Sequence, residues 1–450
     1  DKKPDLIITA DCGSSDEPRI SELAQQHIDV IVTDHHAIPQ EGIPDSALAT
    51  VNPTREDCNY PDYTIAGCMV SWLLMSQLRG ELISAGLIDK KTPKLSALLD
   101  FVSLGTVADA VSLFSPINRA VVKTGLAVLN QLQRPCWKAM KQLLNREFDF
   151  FTAEDLGFQM GPRINARSRM ADPYAAFYFL SAPTLAESMQ FLQVLDEDNQ
   201  QRKETEKEML ATAVRLAKAQ LKDNLYTLVV YHESFHAGVQ GIVASRLLEK
   251  FGRPVIVLSP TLQTDLLSGS ARTIDSVHIR QAIENTANKM EGVRGFGGHK
   301  GAAGLKLDKQ ALEPFRRFFE EAVEEQLGQR DELRPVIYTD GELPESDLSF
   351  QTSAQLKQLE PYGREFETPV FEGDFLLQSI RAIGADGTHL MMQLATDSQS
   401  FRAVWFRALN NREEAFPFVE GQLIKAAYQL KENYYRGNFS IQLHIIHAGL

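Results

Sequence analysis

Two short apolar runs, Leu6-Ile7-Ile8-Thr9-Ala10 and Val30-Ile31-Val32-Thr33, are rich in β-branched residues and run straight into acidic or imidazole side chains. Between them, Glu17 to His27 carries Ile20, Leu23 and Ala24 at helical spacing. Strand, helix, strand at this separation is a βαβ unit, and its strands are parallel because the helix returns the chain to the starting end of the sheet. Parallel sheets collect ligands beyond the carboxyl ends of their strands. Asp11 and Asp34-His35-His36 stand at those ends. The first part of the chain is thus expected to be an α/β domain with titratable side chains at its ligand-binding edge.

The 450 residues exceed what one core usually holds, and the pattern changes along the chain. Ile65–Leu78 and Leu95–Val107 read as helices, the second leading into Asp109. Residues 184–222 contain almost no Gly or Pro, and Leu185, Met189, Leu192 and Leu195 recur at helical spacing before a charged stretch. This predicts one helix of about 55 Å at ~1.5 Å per residue, too polar in its second half to be buried all round, and so a connection between domains. A second α/β pattern has strands at Tyr226–Tyr231, Pro254–Leu258 and Gly304–Leu307, with helices near Gly241–Phe251 and Leu312–Gln326. After Pro335 five short strands follow, at Phe375–Ala382, His389–Leu394, Phe401–Phe406, Gly421–Leu430 and Ser440–Ile446. That is the signature of a small Greek-key barrel of the OB type. The expected division is 1–183 (parallel-sheet α/β domain), 184–222 (long connecting helix), 223–334 (second α/β domain) and 335–450 (barrel).

Charge and cysteine usage narrow the function. A net charge of −13 argues against nonspecific coating of duplexes, though a positive groove remains compatible with it. Cys12, Cys58, Cys68 and Cys136 are far apart and form no CxxC pair, so a reducing cytoplasm is expected rather than a disulfide framework or thiolate zinc site. No apolar run reaches the ~18 residues of a membrane span, and no membrane partner is expected. The opening Asp1-Lys2-Lys3-Pro4-Asp5 passes almost directly into a strand, which leads us to expect further chain upstream.

Carboxylates and imidazoles at Asp11, Asp34-His35-His36 and Asp109 are a donor set for Mn²⁺ or Mg²⁺, with imidazole favouring Mn²⁺. The bland alternative is a pair of helix-capping aspartates and a surface His-His. Three such strand ends in one sheet favour the metal. Gly269-Ser270-Ala271-Arg272 offers backbone N–H groups, a hydroxyl and a guanidinium, which suits a terminal phosphate; an ordinary turn with a surface arginine is the alternative. Gly297-Gly298-His299 is either part of that pocket or a packing turn. Arg163, Asn165, Arg167 and Arg169 put four polar side chains in one short segment, against the alternative of a solvated loop. His236 and Gly238 read as structural. Arg402–Arg407 and Tyr434–Phe439 interleave aromatics with arginines, which fits either base stacking or barrel core.

Asp34-His35-His36, flanked by Asp11 and Asp109, resembles the signature of the DHH phosphoesterase family. Gly161–Met170, Gly269–Thr273, Gly297–Gly304, Phe235–Arg246 and Leu359–Gly363 resemble segments of that family's RecJ group of single-strand-specific 5′→3′ DNA exonucleases. The resemblance implies a DHH domain, a DHH-associated domain and an OB barrel acting on single-stranded DNA in repair and recombination. It implies that Asp11, His35 and Asp109 bind the metal ions, that His36 contacts the scissile phosphate and that Asp34 orients an imidazole. Ser270, Arg272, Gly298 and His299 would hold the 5′ phosphate, with Arg163, Asn165 and Arg169 on the DNA. A single-strand-binding protein and a helicase are the implied protein partners. Two departures stand out. The family's DxDxDG-type aspartates, upstream of the Asp11 strand, have no counterpart in these 450 residues, and Ser168 stands where the family usually has Gly. Two other functions stay open: a phosphodiesterase of the same superfamily on short oligoribonucleotides or cyclic dinucleotides, whose members usually lack the barrel, and a catalytically silent single-strand-binding scaffold.

Overall fold

The computed structural model describes residues 4–450 apart from 146–149, 169–173, 222–224, 264, 329–332, 334–335, 410 and 436–437. It divides into two compact units. One comprises Asp1–Pro162, Ala182–Leu185 and Tyr338–Leu450; the other comprises Arg163–Ser181 and Ala186–Ile337.

In the first unit, β1 (Leu6–Ile8), β2 (Asp29–Thr33) and β3 (Ala49–Val51) form a parallel sheet in that order, with α1 (Glu17–Gln25) between the first two strands. Ile20, Val30 and Val32 pack with Ile7 and Leu23, so the spacing that marks the helix also supplies its buried face. The next helix, α2 (Gly67–Ser84), starts later than the apolar pattern predicts. Asp62 Oδ1 accepts from the N–H and hydroxyl of Thr64 at 2.8 and 2.6 Å, and this turn holds Thr64 out of the helix. The expected Leu95–Val107 helix is a 3₁₀ turn, Leu95–Leu98, followed by α3 (Leu99–Ala108). It packs on α4 (Pro116–Leu129), where Gly125 has no room for a side chain against Leu99 and Ser103. With α5 (Pro135–Leu144) comes Trp137, whose Nε1 donates to the buried Asp100 at 2.8 Å, beside Arg134 Nε at 2.6 Å. The short α6 (Ala153–Asp155) is closed by a Thr152–Asp155 capping box.

After α7 (Gly161–Ser168) and α8 (Tyr174–Ser181), the second unit carries α9 (Leu185–Leu221), a helix of 37 residues. Its charged half is not a solvated rod. Met209, Ala213 and Ala217 recur every fourth residue and are buried against Leu228, Val230, Val243 and Val257. The sheet here runs β4-β5-β6-β8-β7, with β4 (Leu228–Tyr231), β5 (Val255–Pro260), β6 (Leu266–Arg272), β7 (Val293–Gly298) and β8 (Ala302–Asp308). Only β4 and β5 are parallel. α10 (Gln240–Phe251) lies on the face shared with α9, while α11 (Ile279–Lys289) and α12 (Leu312–Leu327) cover the other. The Gly269–Arg272 segment, for which an ordinary turn was the alternative reading, is the end of β6. Gly269 is needed there because a Cβ would come within 2.5 Å of Leu305 and 2.8 Å of Leu258.

The first unit resumes with α13 (Phe350–Gln358) and a closed barrel of β9 (Phe371–Ile383), β10 (His389–Ala395), β11 (Ser400–Trp405), β12 (Leu423–Tyr435) and β13 (Asn438–Gly449). The barrel order is β10-β11-β13-β12-β9, and the parallel pair β11/β13 closes it. Phe375, Leu377, Leu394, Ala403, Tyr428 and Leu443 fill the interior. Every strand expected for an OB-type barrel is present, and the α/β, long-helix, α/β, barrel sequence of folds is as read from the chain.

Candidate functional site

The β-sheet geometry of the first unit gathers the DHH residues. β1 and β2 are neighbours in register, so Asp11, just past β1, and Asp34-His35-His36, just past β2, emerge at one edge. Asp11 N donates to Thr33 O at 2.9 Å, which ties the two strand ends together. Asp11 sits at φ +64°, a left-handed backbone rare for a non-glycine residue, and Gly13 follows at φ +118°. Asp109 reaches the same place by a different route. It caps the C-terminus of α3, with its N–H bonded to Gly105 O at 2.9 Å, so the helix expected to lead into it is present and it is not a third strand end.

His35 Nε2 lies 3.2 Å from Asp11 Oδ1 and 3.2 Å from Asp109 Oδ2. It is buried and aligned for a hydrogen bond with neither. A buried nitrogen between two carboxylates that it does not properly bond is the environment of a metal ligand. Asp11, His35 and His36 offer ligand atoms that all lie within 4.8 Å of one another, and donors so close suit one small divalent cation. Mn²⁺ or Mg²⁺ fits the oxygen-and-imidazole set.

Charge is unbalanced here in the way a cation would relieve. Burial, helped by the neighbouring Asp11, pushes the Asp109 carboxyl above its usual range, while His35 and His36 pull against it. Contact with Asp11 raises His35 despite burial, with Asp109 adding to it. Burial and the same two carboxylates lift the Cys68 thiol to about 12. Asp34 behaves oppositely. Burial would raise it, but His36 Nδ1 at 2.7 Å and Ser14 N at 3.0 Å hold it at about 2. Asp34 Oδ1 also accepts from the backbone of His35 and His36 at 2.8 and 3.2 Å. It stays ionised and orients His36 rather than standing among the clustered metal-ligand atoms.

Residues that sequence reading passed over shape this centre. A Cβ at Gly67, the first residue of α2, would overlap the Asp11 carboxylate. Ser14 supplies the N–H that fixes Asp34. Neither carries a signal beyond being small.

The second unit holds the phosphate candidates. Arg272 Nη1 donates to Ser270 Oγ at 3.1 Å and Ala271 O at 2.8 Å, and burial alone lowers its pKa. A Cβ on Gly241, at the start of α10, would come within 3.2 Å of both Arg272 Nη2 and Ser270 Oγ. The two side chains therefore lie beneath a helix N-terminus with a bare glycine at the point of approach, a setting that favours anions. Gly241 is a third residue not singled out as a site from sequence. Arg272 pairs with Ala302 across β6/β8, and Ala302 O accepts from His299 N at 2.8 Å, so His299 belongs to the same end of the sheet. Gly298 sits at φ +139° and is hemmed in by Ala302 and Ala303, which explains why glycine stands there.

The remaining candidates are dispersed. Arg163 is nearly buried, and its Nε donates to Asp196 Oδ1 of α9 at 2.8 Å. Asn165 is exposed on α7. Arg169 lies outside the described residues, as do the side chains of Arg167, Ser168 and Tyr434. In the barrel, Trp405 stacks on Phe418 at 6.4 Å, whereas Phe406 is exposed between His389 and His444 with Arg402 and Arg407 exposed nearby. The aromatic pair, at the last residue of β11 and the one after it, is thus split between core and surface. His236 accepts from Gly238 N at 3.1 Å and serves its own turn. No helix among the described residues is long and apolar enough to cross a membrane.

Residues 2–106 match the DHH family, N-terminal domain, residues 223–325 match the DHHA1 domain, and residues 339–447 match the RecJ OB domain. The chain is 35% identical over 455 residues to the single-stranded-DNA-specific exonuclease RecJ of Dickeya dadantii, a match covering 99% of the chain and 77% of that relative. The Escherichia coli protein of the same name is 35% identical over 446 residues, covering 97% and 76%. The crystal structure of RecJ in complex with Mn²⁺ from Thermus thermophilus is similar with a TM-score of 0.79 at 26% identity, covering 99% of this chain and 62% of that chain. Its Mg²⁺ complex gives 0.74 at 25% identity. The chain thus spans about three quarters of the Dickeya and Escherichia relatives and less than two thirds of the Thermus protein.

Proposed function

The chain belongs to the RecJ family of DHH phosphoesterases, and from that premise we propose that it hydrolyses single-stranded DNA from the 5′ end with the help of Mn²⁺ or Mg²⁺. The observation that carries this reading is His35 Nε2, buried between the carboxylates of Asp11 and Asp109 at 3.2 Å from each. These three residues would hold the metal, which when bound supplies Lewis acidity toward the phosphodiester and an activated water.

The side chains themselves do the positioning. Asp34, ionised at any working pH because its carboxyl is held at about 2, grips Nδ1 of His36. That contact fixes the ring's orientation with Nδ1–H on Asp34, and Nε2 of the exposed ring would donate to a phosphate oxygen when it too carries a proton. In the second unit, Ser270 and Arg272 at the N-terminus of α10 would receive the 5′ phosphate, with His299 and the bare backbone of Gly298 beside them. Phe406, Arg402 and Arg407 give the barrel one surface aromatic flanked by cations, a base-stacking element for the rest of the strand. Asn165 and the Arg163 and Arg169 positions are read as supporting that path. The unpaired cysteines fit a reducing, cytoplasmic setting, and family membership favours a single-strand-binding protein and a helicase as partners in repair and recombination.

The deciding experiment is degradation of a 5′-phosphorylated single strand, its duplex and a dinucleotide, each with Mn²⁺ and with EDTA. Metal-dependent loss of the long strand alone is expected. Attack on the dinucleotide alone would point to the short-substrate phosphodiesterases, and binding without cleavage would point to a silent scaffold.

A further inference from the structure

The segment Leu359–Phe366, between α13 and the barrel, is laid over the loop that leaves Asp109. Leu113 N donates to Arg364 O at 2.8 Å, and Arg364 Nη1 donates to Ala110 O at 3.2 Å. Gly363 lies so close that a Cβ there would come within 2.6 Å of Leu113 Cδ1. Farther back, Arg119 of α4 holds the strap by two carbonyls, Pro361 O at 2.9 Å and Leu359 O at 2.6 Å, and its guanidinium lies 3.9 Å over the Phe366 ring. From the other side Asn118 Nδ2 holds Ser112 O at 3.0 Å and Thr64 O at 3.1 Å.

This clamping falls where the backbone is least able to hold itself. Ala110, the residue after Asp109, leaves α3 at φ +55°, a left-handed conformation that an alanine keeps only when its surroundings impose it. Two backbone groups within four residues of Asp109 are fixed by the strap, and Leu113 beneath it is fully buried. The strap's other end leads directly into β9. One short segment therefore joins the barrel to the residue that places a carboxylate 3.2 Å from His35.

We propose that Gly363, Arg364 and Arg119 are positioning residues for Asp109, so that seating of the barrel's strap sets how well the DHH centre holds its metal. This rests on the reading of Asp109 as a metal ligand. Groups that orient a ligand without touching the ion affect metal affinity about as strongly as weak ligands do, on the order of 10-fold or more when removed.

The test titrates Mn²⁺ into the full chain by calorimetry and separately measures kcat and KM on a single strand. Arg119→Ala removes both carbonyl contacts without approaching the carboxylates. It is expected to weaken Mn²⁺ binding roughly 10-fold and to lower kcat at limiting metal, with KM for DNA little changed. Arg119→Lys, which keeps a cation over Phe366, is expected to recover part of the loss. If Arg119→Ala does not fold by circular dichroism, Arg364→Ala and Gly363→Ala take its place, with the same expectation. Unchanged Mn²⁺ affinity in a folded variant overturns the proposal, as does a rise in KM alone, which would make the strap a DNA-binding element. Asp109→Asn separates the two levels. If it binds Mn²⁺ like the parent, the metal reading itself fails; if it loses Mn²⁺ while the strap variants keep it, only the positioning role fails.

Discussion

Gly67 and Asp11 share one space: the carboxylate of Asp11 fills the volume that a side chain at residue 67 would need. Gly67→Ala should therefore displace Asp11, while the first residue of α2 accepts alanine without cost to the helix itself. Mn²⁺ affinity is expected to fall roughly 10-fold or more, with little loss of metal-free stability. Calorimetric titration beside thermal melts in EDTA checks both halves. A variant that binds Mn²⁺ normally would show that Asp11 is not a ligand.

Asp109 and Asp11 flank His35, each within 3.2 Å of its Nε2. Asp109→Asn should leave the metal-free thermal midpoint equal or higher, since burial and Asp11 already disfavour the Asp109 carboxylate. The same change should abolish the midpoint rise on adding Mn²⁺, which in the parent corresponds to about 2.7 kcal/mol at 100-fold excess over Kd. His35→Ala should likewise end Mn²⁺-dependent cleavage with the fold retained. Cleavage surviving both substitutions would move the ion elsewhere.

Arg272 and Ser270 face the start of α10. Arg272→Ala should reduce the preference for a 5′-phosphorylated over a 5′-hydroxyl strand by about 10-fold or more, as loss of a charged hydrogen bond worth ~1.5–3 kcal/mol implies. Gly241→Ala should act in the same direction by crowding both side chains. The measurement is the ratio of kcat/KM for the two strands, and an unaltered ratio in both variants would assign the 5′ end to another part of the protein.

Asp100 is the acceptor for Trp137 Nε1 and Arg134 Nε, and it is almost wholly buried. Asp100→Ala leaves the indole N–H without its partner, and a loss of about 3 kcal/mol in urea unfolding is expected. A loss below about 1 kcal/mol would mean that water or another carbonyl takes over the bond.

The parts of the site readable from sequence were those whose signal is local. Asp11, Asp34, His35 and His36 follow strands short enough for β-branching and spacing to mark them. Asp109 is legible as the acid that follows the Leu95–Val107 helical pattern, which the structure keeps as a 3₁₀ turn and α3; what that pattern does not carry is that the helix end comes to lie beside two strand ends. The strand β6 has no sequence signal of its own, because the glycine and serine of Gly269–Arg272 equally suit a turn. It is a strand because β5 and β8 lie on either side of it and leave no room for side chains at Gly269. Gly67, Gly241 and Arg364 act by vacancy or reach on partners far away along the chain, and no spacing rule points to them.

The barrel has one further property. Glu372, at the start of β9, and His447, near the end of β13, both pair with Ala427 from opposite sides. Incoming and outgoing chain are thus two strand spacings apart, about 10 Å, and every strand between them has two neighbours. A module whose ends meet in this way can be spliced into a host loop or circularly permuted without opening its hydrogen-bonded wall.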